Sequence, residues 1–191
     1  VGDWALVARE DRLLIRRLKR RMLLQRKAEG RRQAQLIAAN VDTLFIVTSC
    51  NDDFNPARLE RYLALANEAG AVPVIVLTKI DQTADPAPYF KQAQALQLRL
   101  DVVMLNAKAP DAALTLARWC GPGQTVALVG SSGVGKSTLL NTLSKKSSEN
   151  AQPTGPIRAA DAKGRHTTTS RSLHAIAGGG WVIDTPGMRT L

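Results

Sequence analysis

No stretch of this 191-residue chain approaches the ~20 consecutive apolar residues needed to span a bilayer. That excludes a membrane-spanning helix. The first residues carry no signal-peptide pattern. Cysteine is scarce, with Cys50 and Cys120 far apart in the chain. Each reads as a small buried apolar side chain rather than half of a disulfide or part of a metal site. A reducing cytoplasm is the natural compartment for such a chain. There is no internal repeat and no heptad pattern, which excludes a solenoid or a coiled coil. Acidic residues are in deficit, 16 against 26 Lys and Arg, for a formal net charge of +10.

That surplus is concentrated early. Over residues 1–32, eleven Lys and Arg face four Asp and Glu, a local surplus of seven, and arginine dominates. Such a cluster implies a polyanionic partner, nucleic acid or an anionic membrane surface. No basic amphipathic helix with a clear apolar face supports the membrane alternative. Residues 1–31 hold two short strand-like runs, Val1 to Val7 and Leu13-Leu14-Ile15, and are too few to bury a core alone.

From Gln33 onward helices and strands alternate. Gln33 to Ala39 reads as a helix or helical turn. Val41 to Thr48 reads as a buried strand. Asn55 as N-cap, Pro56 at the first helical position and Gly70 as stop frame a helix whose Leu59, Leu63 and Ala66 recur at helical spacing. Val72 to Leu77 is the next strand, with Pro73 tolerated near its start. Tyr89 to Leu98 is a helix, Asp101 to Leu105 a strand and Asp111 to Trp119 a helix. Ser147 to Ser170 is rich in Ser, Thr, Gly, Pro and Ala and reads as a functional or disordered loop. Ser172 to Ala177 and Trp181 to Asp184 read as a hairpin. The alternation predicts an α/β fold with a doubly wound, mostly parallel six-stranded sheet.

The chemistry centres on Gly130-Ser131-Ser132-Gly133-Val134-Gly135-Lys136-Ser137, followed by Thr138. This fits Gly-x-x-x-x-Gly-Lys-Ser, with the apolar run Thr125 to Val129 before it and a helical run after it. Glycines let the backbone wrap a polyphosphate, and the turn's N–H groups and helix N-terminus point at negative charge. Lys136 suits the β- and γ-phosphates, and the Ser137 hydroxyl suits Mg²⁺.

The base must be read elsewhere. Thr78-Lys79-Ile80-Asp81 leaves a buried strand. Asp81 offers two acceptors for the N1–H and N2–H₂ of guanine, whereas adenine presents an N1 lone pair. The Lys79 stem suits the face of the base. Asn106-Ala107-Lys108 follows another strand and offers backbone to the guanine carbonyl. Asp184-Thr185-Pro186-Gly187 follows an apolar strand. Its aspartate suits Mg²⁺ through water, and its Gly187 N–H suits a γ-phosphate sensor. His166-Thr167-Thr168-Thr169 offers a magnesium-ligating hydroxyl, which we place at Thr168.

Chain order is the telling feature. An ordinary GTPase runs phosphate loop, threonine switch, Asp-x-x-Gly, Lys-x-Asp and then the Ser-Ala-Lys type motif. Here 78–81 and 106–108 come first. The chain resembles a circularly permuted GTPase, and more narrowly the bacterial ribosome small-subunit-dependent GTPase family. Besides the motifs above, Gly2-Asp3-Trp4, Ala38-Ala39-Asn40-Val41-Asp42 and Gly164-Arg165-His166-Thr167-Thr168-Thr169 carry the resemblance.

The resemblance implies an OB barrel, a permuted GTPase domain and a C-terminal zinc-binding domain. On that expectation residues 1–31 are the C-terminal part of an OB-like barrel. Residues 32–191 are then the GTPase domain, ending just after Asp-x-x-Gly, with zinc confined to a domain beyond Leu191. It also implies a monomer that hydrolyses GTP to GDP and phosphate. Its partners would be the small ribosomal subunit and its rRNA, met through the basic N-terminal segment. Met188 stands where many GTPases place a water-positioning glutamine, and the resemblance nominates His166 for that task. Slow basal turnover is expected. The competing readings are a P-loop ATPase or small-molecule kinase, which Asp81 opposes, and an RNA-binding module with a vestigial nucleotide site.

Overall fold

The computed structural model describes residues 1–26, 35–144 and 171–185. Its centre is a sheet of six strands. They are β5 (Thr43–Ser49), β6 (Val72–Thr78), β7 (Asp101–Met104), β8 (Thr125–Val129), β9 (Ser172–Ala175) and β10 (Trp181–Asp184), in the order β7-β6-β5-β8-β10-β9. All neighbours are parallel except β9, which pairs antiparallel with β10. The doubly wound, mostly parallel sheet expected from the alternation is therefore present.

The central strands are apolar without alternation because both faces are covered. On β5, Leu44 and Ile46 face one core and Phe45 and Val47 the other. The first core is closed by α1 (Pro56–Ala69) through Leu59, Tyr62, Leu63 and Ala66. The second is closed by Leu116 and Trp119 and by α4 (Lys136–Leu143) through Leu139, Leu140 and Leu143. Helix α1 has the ends its sequence announces. Asn55 Oδ1 accepts from the Arg58 N–H, and Gly70 closes it in the left-handed region.

Two helices are shorter than expected. Helix α2 spans Ala87–Gln94, and the Asp111 to Trp119 run divides into α3 (Ala112–Thr115) and a 3₁₀ turn, Ala117–Trp119. Cys50 and Cys120 are both free and buried.

One expectation is overturned. Within the stretch read as helical from Gln33, residues 35–39 form strand β4 (Gln35–Ala39), paired antiparallel with β3 (Leu23–Arg26). Four of its residues, Leu36-Ile37-Ala38-Ala39, are helix-compatible in isolation. The β3 ladder and the burial of Ile37, Ala38 and Ala39 decide otherwise, a tertiary override of local propensity. The β3–β4 pair bridges the 31/32 boundary expected between the two parts of the chain.

The remaining two strands, β1 (Ala5–Val7) and β2 (Leu14–Arg17), form an antiparallel pair whose residues are all exposed. Asn40 fastens this N-terminal segment to the rest. Its Nδ2 donates to Gly2 O at 2.8 Å, and its Oδ1 accepts from the Arg21 N–H at 2.8 Å. Gly2 must be glycine there: its φ is +83°, and a Cβ would lie 2.0 Å from Ala39 O. Two residues on, Asp42 Oδ2 accepts from the Thr125 N–H at 2.8 Å, at the start of β8.

Candidate phosphate and base site

Strands β5, β6 and β7 run outward in one direction, and the chain then returns to β8 on the other side of β5. The winding reverses between β5 and β8. In open α/β sheets ligands bind beyond the carboxyl ends of the strands at such a point. The loop from Gly130 to Ser137 opens there.

Its first residue is fixed by contact. Gly130 has φ +143°, and a Cβ would lie 2.2 Å from Val47 O on β5. Lys136, the first residue of α4, is 8% exposed. Its Nζ donates to Gly130 O at 2.8 Å and also to Ser131 O. The ammonium is thus held across the loop that surrounds it. Burial pushes it down to about 8, with the negative charges of Asp184 and Asp53 opposing that shift. An ammonium desolvated in this way gains from an added anion. Ser137 is the next residue of the helix.

Asp184 ends β10 and is 6% exposed. Strand β10 pairs with β8 with Asp184 opposite Leu128, which brings the carboxylate beside the phosphate-loop strand. The following residue, Thr185, is buried and its hydroxyl donates to Leu128 O. A hydroxyl at Ser137 and a carboxylate at Asp184 are hard oxygen donors, the set Mg²⁺ takes.

The motif expected to read the base leaves β6. Thr78 is fully buried, and its Oγ1 lies 2.6 Å from Val134 O and 3.1 Å from Thr48 O. Its hydroxyl is used to clamp the phosphate loop. Lys79 takes a left-handed φ of 57°, which turns the chain into a 3₁₀ turn, Ile80–Gln82, carrying an exposed Asp81. Beyond β7, Asn106 Oδ1 accepts from the Lys108 N–H at 2.9 Å. The neighbouring Ala107 O accepts from Thr142 Oγ1 of α4 at 2.7 Å.

The structure therefore brings 78–81, 106–108, 130–138 and Asp184 to one end of the sheet. His166, Thr168 and Gly187 lie outside the described residues, as does Met188. Sequence reasoning gave no role of their own to Thr142, Thr185 or Asp53. A threonine inside a helix carries no local sign that its hydroxyl reaches another loop. Asp53 sits in the turn after β5, where nothing in the local sequence ties it to Lys136.

The RsgA GTPase family model matches residues 17–191. The chain is 68% identical over 191 residues to the small ribosomal subunit biogenesis GTPase RsgA of Mesorhizobium japonicum, and 54% identical to RsgA 2 of Vibrio vulnificus. Both alignments cover all of this chain, but only 55% and 54% of those proteins. It thus spans about half the length of the curated relatives it matches. Among solved structures it is similar to YloQ, described as a circularly permuted GTPase. There the TM-score is 0.64 at 26% identity, covering 100% of this chain and 58% of that one. YjeQ from Thermotoga maritima matches with a TM-score of 0.60 at 25% identity, over 91% of this chain and 54% of that one. With its sheet order, its permuted motifs and these matches taken together, the chain belongs to the RsgA GTPase family.

Proposed function

We propose that this chain binds Mg·GTP and hydrolyses it to GDP and phosphate, as a switch in late maturation of the small ribosomal subunit. The observation that carries the nucleotide reading is the Thr78 clamp, which holds the Asp81 turn and the Lys136 loop to a common frame. In this reading a guanosine polyphosphate lies with its base at Asp81 and its phosphates at Gly130 to Thr138. The names of the relatives support the ribosomal role.

In this reading Lys136 and the loop N–H groups stabilise charge on the transferred phosphoryl group. Thr78 acts through the loop it clamps. Asp81 reads the N1–H and N2–H₂ of guanine, Lys79 covers the ring, and the 106–108 loop meets the base carbonyl. Ile80 carries the turn that positions Asp81. Ser137 and Thr168 would hold Mg²⁺, with Asp184 reaching it through water. When bound, the ion neutralises charge on the phosphate oxygens. Gly187 senses the γ-phosphate and His166 orients the attacking water, both on the strength of the family resemblance.

We assign residues 1–31 to the end of an OB-like barrel and the remainder to the GTPase domain. The exposed arginines of β2, Arg16 and Arg17, together with Arg9, Arg12, Lys19 and Arg21, give this segment a positive charge suited to rRNA phosphates. Among the described residues no helix is long and apolar enough to cross a membrane. We place the protein in the cytoplasm, as a monomer.

Calorimetry with GTP, GDP and ATP, with and without Mg²⁺, tests the reading. Guanine nucleotides should bind, GTP should respond to Mg²⁺, and ATP should not compete. Equal binding of ATP would overturn it in favour of an ATPase or kinase. Absence of any nucleotide binding would favour an RNA-binding module.

A further inference from the structure

Three loops meet at the site, and two of them belong to the base-reading end. The Asp81 turn is clamped through Thr78. The 106–108 loop is fastened differently, through the last turn of the phosphate-loop helix.

Thr142 lies in the second half of α4, six residues beyond Lys136. Its Oγ1 is 2.7 Å from Ala107 O and 3.0 Å from Thr138 O, the carbonyl one helical turn back. A hydroxyl has a single proton, and the shorter distance favours Ala107. The peptide joining Ala107 and Lys108 is therefore held on both edges. Its carbonyl accepts from Thr142, and its N–H donates to Asn106 Oδ1 at 2.9 Å. Further backbone bonds frame the loop: the Leu105 N–H donates to Leu77 O on β6, and the Ala109 N–H donates to Asn106 O. Ala107 is buried, so its carbonyl has little access to water if Thr142 is lost.

We propose that Thr142 is a positioning residue for guanine recognition. Its hydroxyl fixes the Ala107–Lys108 peptide so that the loop's other backbone N–H groups, those of Asn106 and Ala107, meet the base carbonyl at O6. Thr142 itself touches no nucleotide. Because it sits on the helix whose first residues hold the phosphates, it also sets the base loop in register with the phosphate loop. The inference rests on the guanine reading proposed above.

The test pairs a side-chain change with a change of one ligand atom. The probes are GDP and 6-thio-GDP, which keeps N1–H and N2–H₂ for Asp81 but replaces O6 by a weakly accepting sulfur. Binding of both is measured to the full-length protein and to Thr142→Val and Thr142→Ser. Valine keeps the shape and branching of threonine without the hydroxyl. Losing one hydrogen bond to a buried carbonyl corresponds to roughly tenfold. Thr142→Val should therefore weaken GDP about tenfold and 6-thio-GDP by no more than about threefold, and Thr142→Ser should restore the wild-type ratio.

An equal loss for both nucleotides would assign Thr142 to helix or phosphate-loop structure and overturn the proposal. So would an unchanged GDP affinity in Thr142→Val, or a Thr142→Ser ratio displaced from wild type, a readout that stands even if the valine variant fails to fold. Wild-type protein that does not prefer GDP to ADP would instead overturn the guanine reading itself.

Discussion

The hydroxyl of Thr78 donates to the main-chain carbonyl of Val134 at 2.6 Å, joining a strand end to a loop 56 residues later. Thr78 belongs to the motif proposed to read the base, and Val134 lies within the loop proposed to bind phosphate. The same Oγ1 lies 3.1 Å from Thr48 O, so the ends of β5 and β6 and the phosphate loop share one buried hydroxyl.

Replacing Thr78 by valine keeps the volume and removes that donor. Two carbonyls then compete for fewer partners in a site closed to water. The expected cost is roughly 1–3 kcal/mol of stability, seen as a lower urea midpoint at unchanged slope. GDP affinity should fall with it, because the clamped loop carries the phosphate-facing N–H groups. A Thr78→Val protein with wild-type midpoint and affinity would mean that the clamp is incidental.

Asp81 stands exposed on its 3₁₀ turn, available to a ligand. Changing it to asparagine replaces one acceptor oxygen by an amide NH₂, a donor. Guanine N2–H₂ would then face N–H₂, while xanthine, with a carbonyl at that position, would find a donor. Asp81→Asn should lose GDP by on the order of 100-fold and gain xanthosine diphosphate. Competition binding with the two diphosphates checks it, and unaltered preference would remove Asp81 from base recognition.

The N-terminal segment carries a pH-dependent tie. Arg20 donates twice to Asp3, at 2.6 and 2.8 Å, and this hydrogen-bonded guanidinium holds the Asp3 carboxyl below its usual range. A carboxylate lowered on folding adds stability that is fully present above its unfolded pKa, ~3.9. That contribution fades as pH falls through the folded value. Both side chains are partly exposed, at 21% and 31%, so the effect is local and modest. The Leu18 and Ala39 amides, bonded to Trp4 O and Val1 O, report it by hydrogen exchange corrected for intrinsic rates. Their protection should drop below about pH 4 in the wild type. In Asp3→Asn it should be lower and flat across that window.

Much of the candidate site was legible because the chemistry proposed for it demands rare residue types at set spacings. Gly130, Gly135 and Lys136 announce a phosphate loop through the backbone they permit and the charge they bring. Asp81 announces a guanine site through two acceptors at a strand exit. Their reversed order along the chain already identified the permutation. Strand β4 was illegible for the opposite reason. Leu36 to Ala39 carry no period that separates a short buried strand from a helical turn, and only the β3 ladder decides between them.

From the linear order of residues alone follow the α/β alternation, the permuted set of motifs and the basic character of the first 32 residues. These depend on local backbone preference, side-chain chemistry and charge, which each short stretch carries within itself. Tertiary structure alone decides which groups are joined by hydrogen bonds. Thr78 on Val134, Thr142 on Ala107 and Asp42 on Thr125 join residues 35 to 83 positions apart. A hydroxyl or a carboxylate has many acceptable partners, and only the packed sheet selects one.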